Sequence, residues 1–151
     1  MNKLIAHGLM KINDQYILIK RTKIKRGKPN SLPEYWDIPG GMVEQGETPQ
    51  QAVVRETKEE VNLDVVVGNI IHEDSNYDES KDAVFTRLVY LCDVINPDLS
   101  NIILQEDEHS EYRLINSLKE MDNEKLVDYL YDTVEQASII DSGKKVLKKT
   151  K

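Results

Sequence analysis

Apolar residues along this chain follow two kinds of pattern, and the switch between them sets the expected element order. Leu4–Ile12 and Gln15–Lys20 are dense in Leu, Ile and Tyr, which predicts a strand pair with Asn13-Asp14 as its turn. Trp36–Pro39 predicts a short strand leading into Gly40-Gly41. Further strands are expected at Asp64–His72 and Ala83–Val94, with a last short one at Tyr112–Ile115. A helical period replaces this pattern twice. One helix is expected over Pro49–Val61, the other over Asn123–Ala137, where Leu126, Val127, Leu130 and Val134 share a face. The order strands, helix, strands, helix predicts an α+β fold, an αβα sandwich on a mixed sheet. Single strands do not alternate regularly with crossover helices, which argues against a doubly wound fold.

Thr22–Tyr35 fits neither pattern. It holds Gly27, Pro29 and Pro33, and with Arg21 it brings together Lys23, Lys25, Arg26 and Lys28. Such a basic run is either a solvated loop or a mobile flap that meets phosphates.

Length and composition narrow the picture. With 151 residues and 39% hydrophobic positions, one folded domain is expected over 1–141. Five lysines in the last eight residues predict a flexible tail over 142–151. Cys92 stands alone inside the apolar run Leu88–Val94, so an internal disulfide and a cysteine-built metal site are both excluded. A buried, inert thiol and a reducing, cytoplasmic setting are the expectations. The apolar stretch after Lys3 is too short for a signal peptide, and no run reaches the roughly 20 apolar residues of a membrane span. A net charge of −7 argues against polymeric nucleic acid as partner. A small anion remains acceptable if a bound cation reverses the local charge.

That condition directs attention to the acids of Gly40–Leu63, GGMVEQGETPQQAVVRETKEEVNL. Thr48 is a good N-cap, Pro49 suits the first helical position, and Gln51 has capping-box spacing. Asn62 suits a left-handed C-cap. At about 100° per residue, Glu56, Glu59 and Glu60 share one arc, and Val53, Val54, Thr57 and Val61 share the next. Three carboxylates at this spacing repel one another. A hard divalent cation offsets that repulsion, because Mg²⁺ prefers oxygen ligands, and Arg55 relieves part of it. An acidic solvent-facing helix has the same spacing. The context separates the two: Gly40-Gly41, Gly46 and Glu47 stand at fixed distances before Arg-Glu-x-x-Glu-Glu.

This segment resembles the Nudix box, G-x5-E-x7-R-E-U-x-E-E-x-G-U, with U a bulky apolar residue. Gly41 opens it, Glu47 follows, and Arg55, Glu56, Glu59 and Glu60 occupy the remaining charged positions. Thr57 stands at an apolar position and Asn62 at the last glycine. The resemblance implies a Nudix-type αβα sandwich that cleaves a diphosphate linkage. It implies that Glu56, Glu59, Glu60 and the carbonyl of Gly40 bind metal, Mg²⁺ first and Mn²⁺ as the alternative. Glu56 is then also the general base, and an Arg55–Glu47 ion pair holds loop against helix. A later metal-binding acid is expected at Glu108, with Glu106, Asp107 and Glu111 as competitors.

Arg21 and Gly41 are expected to contact substrate. Asn123 either reads a purine, as in MutT-like proteins, or caps the last helix. Trp36 and Tyr77 either stack on a base or belong to the core or rim. His7 reads as a satisfied strand histidine and His109 as a candidate in the catalytic loop. The expected substrate is a nucleoside (deoxy)triphosphate, including oxidised purine forms, split to monophosphate and pyrophosphate. ADP-ribose and dinucleoside polyphosphates are the alternatives, and a non-catalytic Nudix-like binding module is a third reading. Expected partners are a small nucleotide and no membrane; a homodimer is compatible with the sequence.

Overall fold

The computed structural model describes residues 1–149. Strands β1 (Asn2–Ile12) and β2 (Gln15–Arg21) form the antiparallel pair that the apolar runs predict. Asn13 and Asp14 turn between them with φ of 53° and 64°. Two successive positive φ values match the twist of a tight hairpin, and Asn and Asp tolerate them. The basic stretch that follows is itself a small hairpin, β3 (Ile24–Lys25) with β4 (Lys28–Pro29). Its turn is Arg26-Gly27, again at positive φ, a local signal that the run of charges hid.

β5 (Trp36–Asp37) pairs with β2, and β6 (Gly40–Met42) pairs with β1. Helix α1 spans Pro49–Val61. The long hairpin β7 (Asp64–Asp78) and β8 (Ala83–Ile95) then lays β8 parallel to β1. β9 (His109–Ile115) returns to pair with β2. One parallel pairing among antiparallel ones makes the sheet mixed, as expected. β7 outruns its expected end at His72 because its last residues form a mostly exposed, polar ribbon with little apolar content to mark it.

β1 and β2 lie between two cores. Leu9, Tyr16 and Leu18 face one side, where Leu130, Val134 and Ala137 of α2 (Tyr129–Lys149) cover them. Ala6, Met10, Ile17 and Ile19 face the other, under Ala52, Val53 and Val61 of α1. Strands covered on both faces read as unbroken apolar runs. Each such Leu or Ile contributes about 1.5–3 kcal/mol by leaving water.

The second helix departs from expectation. It starts at Tyr129, and Asn123 lies before it in an irregular stretch after the 3-10 turn Leu118–Met121. The reason is backbone pairing. Lys125 O accepts from Trp36 N (2.8 Å), and Val127 N donates to Trp36 O (3.1 Å). Groups engaged by β5 cannot join a helical ladder. Leu126 and Val127 are nevertheless buried, which is why they mimic a helical face. Trp36 is fully buried and belongs to the core, so it offers no stacking surface. The backbone of α2 also takes in residues 142–149, where a flexible tail is expected; residues 150 and 151 lie outside the described residues. Among the described residues no helix is long and apolar enough to cross a membrane.

Candidate active site

α1 begins and ends as its caps dictate. Thr48 Oγ1 accepts from Gln51 N (3.1 Å), and Gln51 Oε1 accepts from Thr48 N (2.9 Å). Asn62 adopts φ 61° and ψ 32° and donates its N–H to Lys58 O. The face toward the sheet is Ala52, Val53, Thr57 and Val61. Val54, expected there, is 41% exposed because Ala52 takes the inward position beside Val53. The three carboxylates share the neighbouring face at different depths: side-chain exposure is 49% for Glu59 and 15% for Glu56, while Glu60 is 3% exposed.

Arg55 organises the outer part. Its Nε and Nη2 donate to Glu47 at 2.8 and 3.0 Å, its Nη1 to Glu56 at 2.9 Å and to Glu59 at 3.4 Å. Nη2 also meets the carbonyl of Met42 (3.2 Å), which ties β6 to the helix. The two-pronged Arg–carboxylate contact with Glu47 fixes geometry as well as charge. It raises the Arg55 pKa further above its already high value and holds Glu47 below the usual carboxylate range. Burial raises Glu56, with Arg55 opposing.

The inner part is built by the helix end. The last carbonyls of a helix need partners, and here a loop supplies them. Ile103 N donates to Val61 O and Gln105 N to Glu60 O, both at 3.1 Å, while Asn62 Nδ2 donates to Asn101 O. The same loop then turns at Gln105, whose carbonyl accepts from both Glu108 N and His109 N. Glu108 and His109 are thereby brought to Glu60. One ligand atom from each lies within 4.8 Å of the other two, and all three residues are buried. Glu60 has one hydrogen-bond donor, the N–H of Gly40 (2.9 Å), and no ion pair among the described residues. Burial and the neighbouring Glu56 push its carboxyl well above the usual range. Burial lowers His109 to about 4.

A cleft of about 270 Å³ opens on these groups and also takes in Gly41, Arg21, Lys25 and Arg87. Gly41 lies close under Glu56: a Cβ there would lie 2.7 Å from Glu56 Oε1, so the carboxylate would have to shift. Lys25 and Arg26 of the β3–β4 hairpin reach Glu108 at 3.2 and 3.5 Å. Oxygen donors crowd at Glu60, whose own carboxylate has no ion pair among the described residues, and this fits a divalent ion, since such ions take carboxylate ligands.

The sequence reading missed a second network on the same cleft. Buried Asp37 accepts from Arg21 Nη1 (3.2 Å) and from the Tyr129 hydroxyl. Burial opposes its ionisation, but His7, Tyr129 and Arg21 outweigh it and hold Asp37 low. His7 is satisfied as expected, its Nδ1–H meeting Ile38 O at 3.0 Å, and it also lines the cleft. Arg87 stacks on the Tyr129 ring at 4.0 Å. Asp37 had one legible signal, a lone acid inside an otherwise apolar strand; Tyr129 and Arg87 had none.

The remaining expected residues separate clearly. Glu108 enters the cleft, whereas Glu106, Asp107 and Glu111 are exposed. Arg21 lines the cleft, but it also donates to Ser31 O, Asn30 Oδ1 and Ser31 Oγ and so anchors the basic stretch. Asn123 is exposed and does not line the cleft, nor does it cap a helix. Tyr77 is 56% exposed on the β7 ribbon and bonds Asp82. Cys92 is buried, its thiol pushed up to about 12 by burial, in keeping with an inert role.

Known proteins resemble the chain in sequence and in fold. The family model described as NUDIX domain matches residues 3–136. A Methanocaldococcus jannaschii protein named ADP-ribose pyrophosphatase is 32% identical over 126 residues, 82% of this chain and 70% of the relative. An Escherichia coli protein named 8-oxo-dGTP diphosphatase is 44% identical over 64 residues, 42% of this chain and 46% of the relative. The chain thus matches less than half of that second relative's length. A crystal structure of a MutT NUDIX hydrolase from Burkholderia pseudomallei superposes with a TM-score of 0.72 at 20% identity, over 90% of this chain and 98% of that one, a likeness of fold.

Proposed function

The chain belongs to the Nudix family, and on that footing we propose that it hydrolyses a nucleoside (deoxy)triphosphate to monophosphate and pyrophosphate with a divalent cation. The observation that carries this reading is the composition of one cleft. It joins the carboxylates of Glu60 and Glu108 to the cations Arg21, Lys25 and Arg87. Acids hold a metal, and the cations face a phosphate chain.

Glu60, Glu108 and the outer acids Glu56 and Glu59 would hold the ion. When bound, it supplies charge neutralisation at the phosphates and a more acidic water. Glu56 is the proposed proton acceptor, because Arg55 orients its carboxylate beside the other acids of the helix face. Lys25 and Arg26 sit on a hairpin with little buried area, so they can turn from Glu108 toward a phosphate. Arg87, stacked on Tyr129, presents a cation beside them.

ADP-ribose is the second reading. It is favoured by the length of the match to the pyrophosphatase relative, 82% of this chain, against 42% for the diphosphatase. Asn123, the candidate purine contact of the first reading, does not line the cleft. A panel of nucleoside triphosphates, oxidised purine nucleotides and ADP-ribose, assayed with Mg²⁺ or Mn²⁺, separates the two. Pyrophosphate with monophosphate supports the first reading; AMP with ribose 5-phosphate supports the second. No hydrolysis of any diphosphate on the panel overturns both.

A further inference from the structure

A buried imidazole sits among the acids of the cleft. His109 is 6% exposed, and its Nδ1 is shut away from solvent with no hydrogen-bond partner. Buried polar atoms are rarely left so, and each exception asks for an explanation. A ring nitrogen of His109 and one carboxylate oxygen each from Glu60 and Glu108 lie within 4.8 Å of one another. Donors about 2.1 Å from a shared ion are roughly 3–4.2 Å apart. A modest contraction therefore closes the triad on one ion.

The backbone shows how two sequence neighbours come to share a side. In an unbroken strand, adjacent side chains point to opposite faces. Here Gln105 O accepts from both Glu108 N (3.0 Å) and His109 N (2.9 Å), so Glu108 closes a turn. The β2–β9 register then shifts between Lys20 and Arg21: Lys20 faces Glu111, Arg21 faces His109, and Ser110 is passed over. Bulges of this kind re-aim side chains next to active sites. His7 also lines the cleft, but Ile38 O holds its Nδ1–H and its Nε2 faces the Tyr129 hydroxyl.

We propose that His109 is a metal ligand which, with Glu60 and Glu108, forms a cation position that favours a first-row transition ion over Mg²⁺. The inference rests on the metal-dependent reading of the cleft and deepens it. Mg²⁺ demands oxygen donors in near-octahedral order and sheds water reluctantly. Imidazole is a softer donor, and affinity for such a site rises from Mn²⁺ through Fe²⁺ to Co²⁺. Carboxylates alone make that distinction more weakly.

The test uses the full chain with Mn²⁺ alone and no nucleotide. Pulsed electron paramagnetic resonance is expected to show ¹⁴N modulation from one coordinated imidazole. Incorporation of ¹⁵N-histidine should convert it to the ¹⁵N pattern, which needs no substitution. In His109→Gln the modulation should vanish. Titration calorimetry should then show Co²⁺ binding weakened at least about tenfold and Mg²⁺ binding changed less than about threefold. Bound Mn²⁺ without nitrogen coupling in the unaltered chain overturns the assignment, as does coupling that survives in His109→Gln. Nitrogen coupling in a protein that hydrolyses nothing on the nucleotide panel leaves the ligand standing and removes the proposed function.

Discussion

The two ends of the carboxylate face answer their charge in opposite ways. At the outer end Arg55 reaches Glu47, Glu56 and Glu59, and lies 3.7 Å from Glu44 as well. At the inner end Glu60 is more deeply buried, yet it has one N–H donor and no cation. The outer network holds its shape unaided. At the inner one burial pushes the Glu60 carboxyl well above the usual range, so ionising it without a bound cation is costly. Folding therefore prepares the inner end for a partner from solution. The cation of the outer end is covalent to the helix and permanent.

Removing the inner charge should break that contrast most severely. Glu60→Gln keeps the acceptor for Gly40 N–H and drops the carboxylate. Turnover is expected to fall at least about 10²-fold. Thermal stability in chelator should rise, by about 2–4 °C for each kcal/mol of strain relieved. Melting curves in chelator and initial rates with metal check both halves. A variant that melts no higher and turns over normally would mean that Glu60 is neither strained nor used.

Arg55→Ala tests the other end and should act in the reverse sense on stability. Glu47, Glu56 and Glu59 would lose their shared donor, and Met42 O would lose its link to the helix. A loss of about 1.5–3 kcal/mol is expected, the usual worth of hydrogen bonds to charged groups. Activity should fall with it, since Glu56 loses its orientation. Arg55→Lys should rescue little, because an ammonium cannot make the two-pronged contact with Glu47. Denaturant unfolding of the three forms decides the matter, and full stability in Arg55→Ala would show that the network is ornamental.

The same contrast explains what was legible in the sequence. The outer end lies within one helix and its preceding loop, so fixed spacing and cap chemistry revealed Thr48, Arg55, Glu47 and Asn62 in place. The inner end needs the loop at 101–109, whose approach is set by backbone bonds to the last carbonyls of α1. Glu108 was visible through family resemblance, while the inward turn of His109 follows from a bulge that no spacing rule signals. Asp37, Tyr129 and Arg87 come from three separate elements and meet only in the folded sheet. The helix expected from Asn123 starts later for a related reason: apolar spacing at Leu126 and Val127 imitated a helix, whereas the backbone there pairs with Trp36.

A third acidic cluster sharpens the comparison, because its cation can be switched. His72 on β7 lies between Asp132 of α2 and Asp74, at 2.5 and 2.6 Å, and Arg87 reaches Asp74 at 3.3 Å. Burial lowers the pKa of His72, but the bonds to Asp132 and Asp74 outweigh it and leave it raised. A histidine raised in the folded state contributes stability that is fully present below its unfolded pKa, about 6.5. That contribution is lost as pH rises through the folded value. The clasp joins β7 to the first turn of α2, beside the Tyr129 ring that stacks on His72. Its partners are partly exposed, so screening limits it to about 1 kcal/mol or less. The unaltered chain should melt above His72→Gln near pH 6, and the gap should close progressively above pH 6.5. Paired thermal melts across that range measure it. Parallel curves at every pH would show that the imidazole carries no charge into the clasp. A gap that widened with pH would mean that its pKa is lowered, with burial winning over both aspartates.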